Sequence, residues 1–201
     1  MDPLLDLVRR LARYGVWFGG SLMVCAAFII GIEVVIRKFF NMTIGGADEL
    51  SSFALAIGSA WAFGFTMLDR AHVRIESLYV ALPRFLGVLI DFVSHLLFTA
   101  VIAVFTWYSF TVFFDSVEMH ARSQSPLGTP MAIPQCLWAV GMLFFLAIAV
   151  LLLLRSGQAL VKGDLATVQR LIGPRTVKEE VEDELDQAVR RQRDGSPEAT
   201  S

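Results

Sequence analysis

Long apolar runs separated by short polar breaks dominate the chain. Residues 14–36, 50–68, 85–114 and 131–154 consist mainly of Leu, Ile, Val, Ala and Phe. About 20 apolar residues, each rising 1.5 Å in a helix, cross the hydrocarbon core of a bilayer. The four runs therefore predict four transmembrane helices. The first run exceeds the apolar core of a secretory signal, about 7–15 residues, and no small-residue cleavage pattern closes it. It predicts an uncleaved helix. The third run is longer than a bilayer requires, which predicts tilt or projection beyond the membrane. Ahead of the first run, Asp2 can cap a helix and Pro3 suits its first position. Leu4, Leu7, Val8 and Leu11 then share one face, with Arg9, Arg10 and Arg13 largely off it. That pattern predicts a short amphipathic helix at the membrane surface. Residues 73–82, ahead of Pro83, predict another such surface segment.

The polar breaks set the direction of the chain. Cytoplasmic segments carry an excess of Lys and Arg. Arg9, Arg10 and Arg13 precede the first run, Arg70, Arg74 and Arg84 fill the second break, and eight more basic residues follow the fourth run. Only Arg37, Lys38 and Arg122 fall on the other side. Fourteen of the 17 basic residues thus share one side. The expectation is an all-α integral membrane protein of four transmembrane helices with both termini cytoplasmic. Residues 1–160 form its membrane domain and 161–201 a charged cytoplasmic tail. Within that tail, residues 175–193 place acids before arginines, in the sense that a helix dipole favours. The last eight residues have a composition that predicts disorder.

Composition agrees with lipid as the solvent. The chain is 55% hydrophobic and 18% charged, against about 45–50% and 25% in soluble domains. Mean hydropathy is +0.60 and the isoelectric point is near 5.9. The net charge of −2 gives no electrostatic footprint for nucleic acid. The two cysteines, Cys25 and Cys136, lie in apolar runs that the topology puts at different depths, so no disulfide is expected. No Cys/His spacing fits a zinc site. His72, His95 and His120 are spread across the membrane thickness rather than matched in depth for haem. No cofactor, metal site or catalytic residue is expected.

Several polar and small residues inside the runs are candidates for packing or transport. Ala54, Gly58 and Ala62 recur every four residues on one face of the second run, and Ala56, Ala60 and Gly64 on another. Such faces let helix backbones approach closely in a bilayer. Two of them predict a helix central to the bundle. Asp91 and His95 form an intramembrane polar pair one turn apart on the third run. Ionisable groups at that depth are functional candidates by default. The sharp reading is a proton relay; the plain one is a hydrogen-bonded pair facing another helix or subunit. Glu33 near the end of the first run is a further candidate coupling-ion ligand, although Arg37 stands one turn away to satisfy it. Neither a broken helix pair nor a mid-membrane carboxylate cluster marks a substrate site.

The most specific stretch is 45–83. It opens Gly45-Gly46-Ala47-Asp48-Glu49-Leu50, runs through an Ala/Gly-rich span, and closes with His72-Val73-Arg74-Ile75-Glu76-Ser77-Leu78 and Leu82-Pro83. With Arg37 before it and Ser123, Ser125, Pro126, Pro130, Pro134 and Trp138 after it, the pattern resembles the small permease subunit (DctQ-like) of tripartite ATP-independent periplasmic, or TRAP, transporters. The resemblance spans about residues 10–160. The family more often carries a Trp-x-Glu-Glu version of the acidic motif and an Asp where Glu76 stands. Charge is kept at both places. The resemblance implies a noncatalytic membrane subunit in the bacterial inner membrane, paired with a large multi-helix permease and served by a periplasmic substrate-binding protein. It implies secondary, typically sodium-driven, uptake of organic acids, with the substrate and ion sites in the large subunit. On this reading Asp48 and Glu49 cap the second helix and touch a partner outside, while His72, Arg74 and Glu76 anchor the inner elbow to partner groups or membrane lipids. The rival is a self-sufficient four-helix proton-coupled transporter using Glu33 or Asp91 and His95.

Overall fold

The computed structural model describes residues 3–43, 45–70, 83–173 and 185. Helix α1 covers Pro3–Phe40, α2 Ala47–Leu68, α3 Arg84–Glu118, α4 Ala132–Val161 and α5 Leu165–Ile172. The first four are long and apolar enough to cross a membrane. They hold 38, 22, 35 and 30 residues, or about 57, 33, 52 and 45 Å of helix. Only α2 is close to a bilayer core in length, so the others project beyond it or tilt.

Two expectations change. The amphipathic stretch at residues 2–13 is not a separate surface element, because from Pro3 onward it continues unbroken into α1. Nothing stops the helix there: no glycine or proline separates the arginines from the apolar run. A short amphipathic helix occurs instead at α5, which the sequence reading left inside an undivided tail. The elbow with His72, Arg74 and Glu76, and all of the tail beyond 173 except residue 185, lie outside the described residues.

Helix ends follow from local chemistry. Gly163 takes a left-handed φ of 73° after α4. The Gly163 amide bonds Leu160 O at 3.0 Å and the Asp164 amide bonds Ala159 O at 3.0 Å. This paired closure satisfies the last carbonyls of a helix. His120 closes α3 in the same way, with amides of His120 and Ala121 on Val117 O and Ser116 O, despite a φ of 49° without glycine. Pro134 sits in the first turn of α4, where its missing N–H leaves no intrahelical bond unmade. Asp164 caps α5, its carboxylate accepting from the Thr167 amide at 3.0 Å.

The helices pack in the order α1, α2, α4, α3, with α5 folded back onto α4 and α3. Helix α2 packs against α1 on one side and α4 on another. On one, Gly58 meets Gly19 of α1 so closely that a Cβ at Gly19 would stand 2.6 Å from Gly58 O. On the other, Ala60 and Gly64 are buried against α4. Ala54 is buried with Gly58, Ala62 is half-buried, and Ala56 is exposed. Between α1, α2 and α4 sits Trp61. Its indole N–H donates to Leu137 O at 3.1 Å, and its ring stacks on Phe144 and meets Phe18 edge-on. Gly15 and Gly141 make room for it, since a Cβ on either would lie about 3 Å from Trp61 atoms. The buried apolar cluster includes Ala12, Val88, Ile148, Leu152 and Val168, which places its weight at the end of the bundle where α1 begins.

Candidate functional site

Two regions of the described chain hold the predicted polar residues: a clasp at the end of the bundle where α1 finishes, and a stripe along α3.

The clasp is built from Thr43 and residues 45–49. Gly45 and Gly46 have φ of 64° and 145°, conformations that side chains with a Cβ rarely adopt. A Cβ at Gly46 would also stand 2.1 Å from the tip of the exposed Leu127 side chain, which would have to turn aside. The turn therefore lies flat against the α3–α4 connection. Glu49, in the first turn of α2, reaches the same connection and accepts a hydrogen bond from the Ser125 hydroxyl. The connection itself is closed by Ser123 N to Thr129 O at 2.9 Å and Met131 N to Ala121 O at 3.0 Å. On the other flank, Glu33 is 4% exposed. Its Oε1 accepts from Arg37 at 2.9 Å and from Thr43 Oγ1 at 2.6 Å. A buried carboxylate needs such charge-assisted partners. Asp48 is exposed at the start of α2, where an acid is favourable against the helix dipole, and it adds an attractive charge near Arg37. Glu33, Arg37, Thr43 and Glu49 thus tie α1, α2 and the α3–α4 connection together. The Asp48–Glu49 pair is split in use: Glu49 faces inward to the loop and Asp48 faces out.

The stripe contains the predicted pair. Asp91 and His95 are 1% and 4% exposed, so both lie inside the bundle and not toward lipid. His95 Nε2 is 3.1 Å from Ala149 O on α4. A carbonyl only accepts, so this nitrogen carries the proton of the bond. The same face continues with buried Thr99, Thr106, Ser109 and Ser116. Thr99 Oγ1 donates to His95 O at 2.8 Å, Thr106 Oγ1 to Ile102 O at 2.8 Å, and Ser109 Oγ to Thr106 O at 2.7 Å. Thr99 and Ser109 satisfy themselves on their own helix, while Thr106 Oγ1 also approaches Met142 O of α4 at 3.4 Å, so the stripe gives α3 a narrow polar face for α4. Sequence reasoning isolated Asp91 and His95 and missed their extension. The signal was present as helical steps of three, four and seven between buried polar residues from 91 to 116.

Among the described residues, no group of three or more His, Cys, Asp or Glu could hold a metal ion. Cys25 and Cys136 are free thiols. The polar groups at the clasp and stripe are arranged to join helices; the described bonds give no nucleophile paired with a base.

Comparison with known proteins places these observations. No match was found among curated proteins or among solved structures. The family described as "Tripartite ATP-independent periplasmic transporters, DctQ component" matches residues 26–158, which takes in the end of α1, the clasp, α2, the whole stripe and nearly all of α4. That match covers well over half of the chain, and the chain belongs to the DctQ component family of the tripartite ATP-independent periplasmic transporters.

Proposed function

We propose that this subunit is a noncatalytic brace for the large permease of its transporter, in a sodium-driven system that imports organic acids across a bacterial inner membrane. The observation that carries the reading is the state of its intramembrane ionisable groups. Glu33 is occupied by Arg37 and Thr43, and His95 by the Ala149 carbonyl of the neighbouring helix. A coupling-ion or proton site has to be vacated and refilled in each cycle; groups spent on joining helices serve rigidity. Family membership supplies the partners, the large permease and the substrate-binding protein. The excess of positive charge supports a cytoplasmic location for both termini, which would turn Asp48 toward the periplasmic side, available to a partner.

The test is co-expression with a large permease subunit of the same transporter family. The two chains are expected to co-purify, and reconstituted uptake of an organic acid under a sodium gradient is expected to need both. Transport by this chain alone sinks the proposal. The rival self-sufficient transporter requires Glu33→Gln or Asp91→Asn to abolish transport with assembly intact. The brace predicts that any loss of transport in these variants tracks loss of assembly.

A further inference from the structure

At the end of the bundle where α1 begins, four helices enclose a cavity of about 310 Å³. This is at the small end of the ligand-pocket range, about 300–1,000 Å³. Its rim carries Arg9 and Arg13 from α1, Asp69 and Arg70 from the end of α2, and Arg170 from α5. Among the described residues, four guanidinium groups against one carboxylate leave an excess of three positive charges. Its walls include Phe65, Leu152 and Leu171.

The rim is constructed and not a chance meeting of surface arginines. Arg9 and Arg13 are one turn apart on the same side of α1. Arg70 adopts a left-handed φ of 54° just past the α2 cap, with its amide on Met67 O at 3.2 Å. Its guanidinium reaches across to Gln169 O of α5 at 3.5 Å, joining two walls of the cavity. Helix α5 buries Val168 and Ile172 in the core, which holds Arg170 at the opening. The helix dipole rewards a cation at the end of α2, but it gives no reason for arginines in the opening turns of α1.

Position decides the ligand. The apolar span of α2 ends at Leu68, so the rim lies where hydrocarbon gives way to headgroups. Guanidinium forks match phosphate oxygens in pairs, and basic pockets between membrane helices suit anionic headgroups. We propose that this cavity binds the headgroup of an acidic phospholipid, with the phosphate on the arginine rim and the glycerol end of the acyl chains on the apolar wall. The bound lipid would pin α1, α2 and α5 together at the end opposite the clasp. The proposal requires only that the chain spans a bilayer; orientation decides which leaflet supplies the lipid.

Native mass spectrometry of the full chain, released from mixed phosphatidylglycerol and phosphatidylcholine, tests it. The chain is expected to retain phosphatidylglycerol preferentially and to keep it in excess inorganic phosphate. Arg9→Gln with Arg13→Gln should weaken retention about five-fold for each arginine removed, with helical content by circular dichroism unchanged. Lys38→Gln with Arg122→Gln, away from this rim, should leave retention as it is. Equal retention of the two lipids by the unaltered chain overturns the proposal, as does an equal loss in the Lys38/Arg122 variant. Displacement by inorganic phosphate overturns the lipid assignment in favour of a free anion. The large permease is absent from this measurement, so its result is independent of whether the two subunits co-purify.

Discussion

Single residues hold the clasp in place, and their roles separate by what each substitution meets. Gly46 combines a φ of 145° with a Cβ position 2.1 Å from Leu127. Gly128 has a φ of 56° but open space around it. Gly46→Ala should therefore cost about 1–3 kcal/mol, and Gly128→Ala only the backbone part, about 1–2 kcal/mol. Thermal unfolding in detergent reads both; equal shifts would mean that the Leu127 contact and the φ of 145° together add nothing to the left-handed cost. Asp164 offers a pH-dependent case outside the membrane. Hydrogen bonds from the Thr167 hydroxyl and amide hold its carboxyl below the usual range. A depressed folded-state pKa means that the cap's contribution is complete above the unfolded value and fades as pH falls through the folded one. The carbon chemical shifts of Ala166 and Thr167 should lose helical character on acidification in the native chain. In Asp164→Asn they should stay level with pH.

Element packing depends on which atom receives the load. A Cβ at Gly19 meets backbone, Gly58 O at 2.6 Å, whereas one at Gly64 meets the side-chain tip of Ile148 at 2.8 Å. Gly19→Ala must push α1 from α2; Gly64→Ala needs a side chain to turn. The first should destabilise by about 1–3 kcal/mol, the usual range for overpacking, and clearly more than the second in denaturant-mixed micelles. On α3, His95→Leu removes a bond to the other helix, and interhelical hydrogen bonds in membranes average about 0.6 kcal/mol with a maximum near 1.7. Thr99→Val removes a bond to its own helix and should cost less; the reverse order would show that α3–α4 association does not use His95. The same elements mark what the sequence made legible. Four spans followed from apolar length alone, and the two faces of α2 from small residues at four-residue spacing. Trp61 did not follow, because its hub position depends on Gly15 and Gly141 from two other helices. The use of Glu49 did not follow either, since its partner Ser125 is 76 residues away. Periodicity reports the face a helix offers; it carries no information on the partner that covers it. The stripe beyond His95 was readable, but isolated hydroxyls in an apolar run look harmless until their steps of three, four and seven residues are counted together.

At the scale of the molecule, charge asymmetry becomes geometry. Arg9, Arg13, Arg70 and Arg170 come from three separate parts of the sequence, yet they line one cavity at one end of the bundle. The clasp with Arg37, and Arg122 in the α3–α4 connection that Glu49 grips, lies at the other end. A helical bundle inserted with the arginine-rich end outward would have to translocate most of its fixed positive charge, which the membrane potential and the anionic inner leaflet both oppose. The excess predicts one orientation, with α5 inside and the α3–α4 connection outside. Single cysteines placed in a Cys25→Ser/Cys136→Ser background make this measurable. Arg122 and Lys162 are both exposed and belong to opposite ends. Arg122→Cys should react with a membrane-impermeant maleimide in intact cells, and Lys162→Cys only after lysis. Labelling in the opposite order would invert the topology and put Asp48 and Glu49 inside, out of reach of any periplasmic protein. It would leave the helix packing unchanged, because Gly19 against Gly58 and Trp61 against Leu137 depend on contact between helices and not on the side from which they entered.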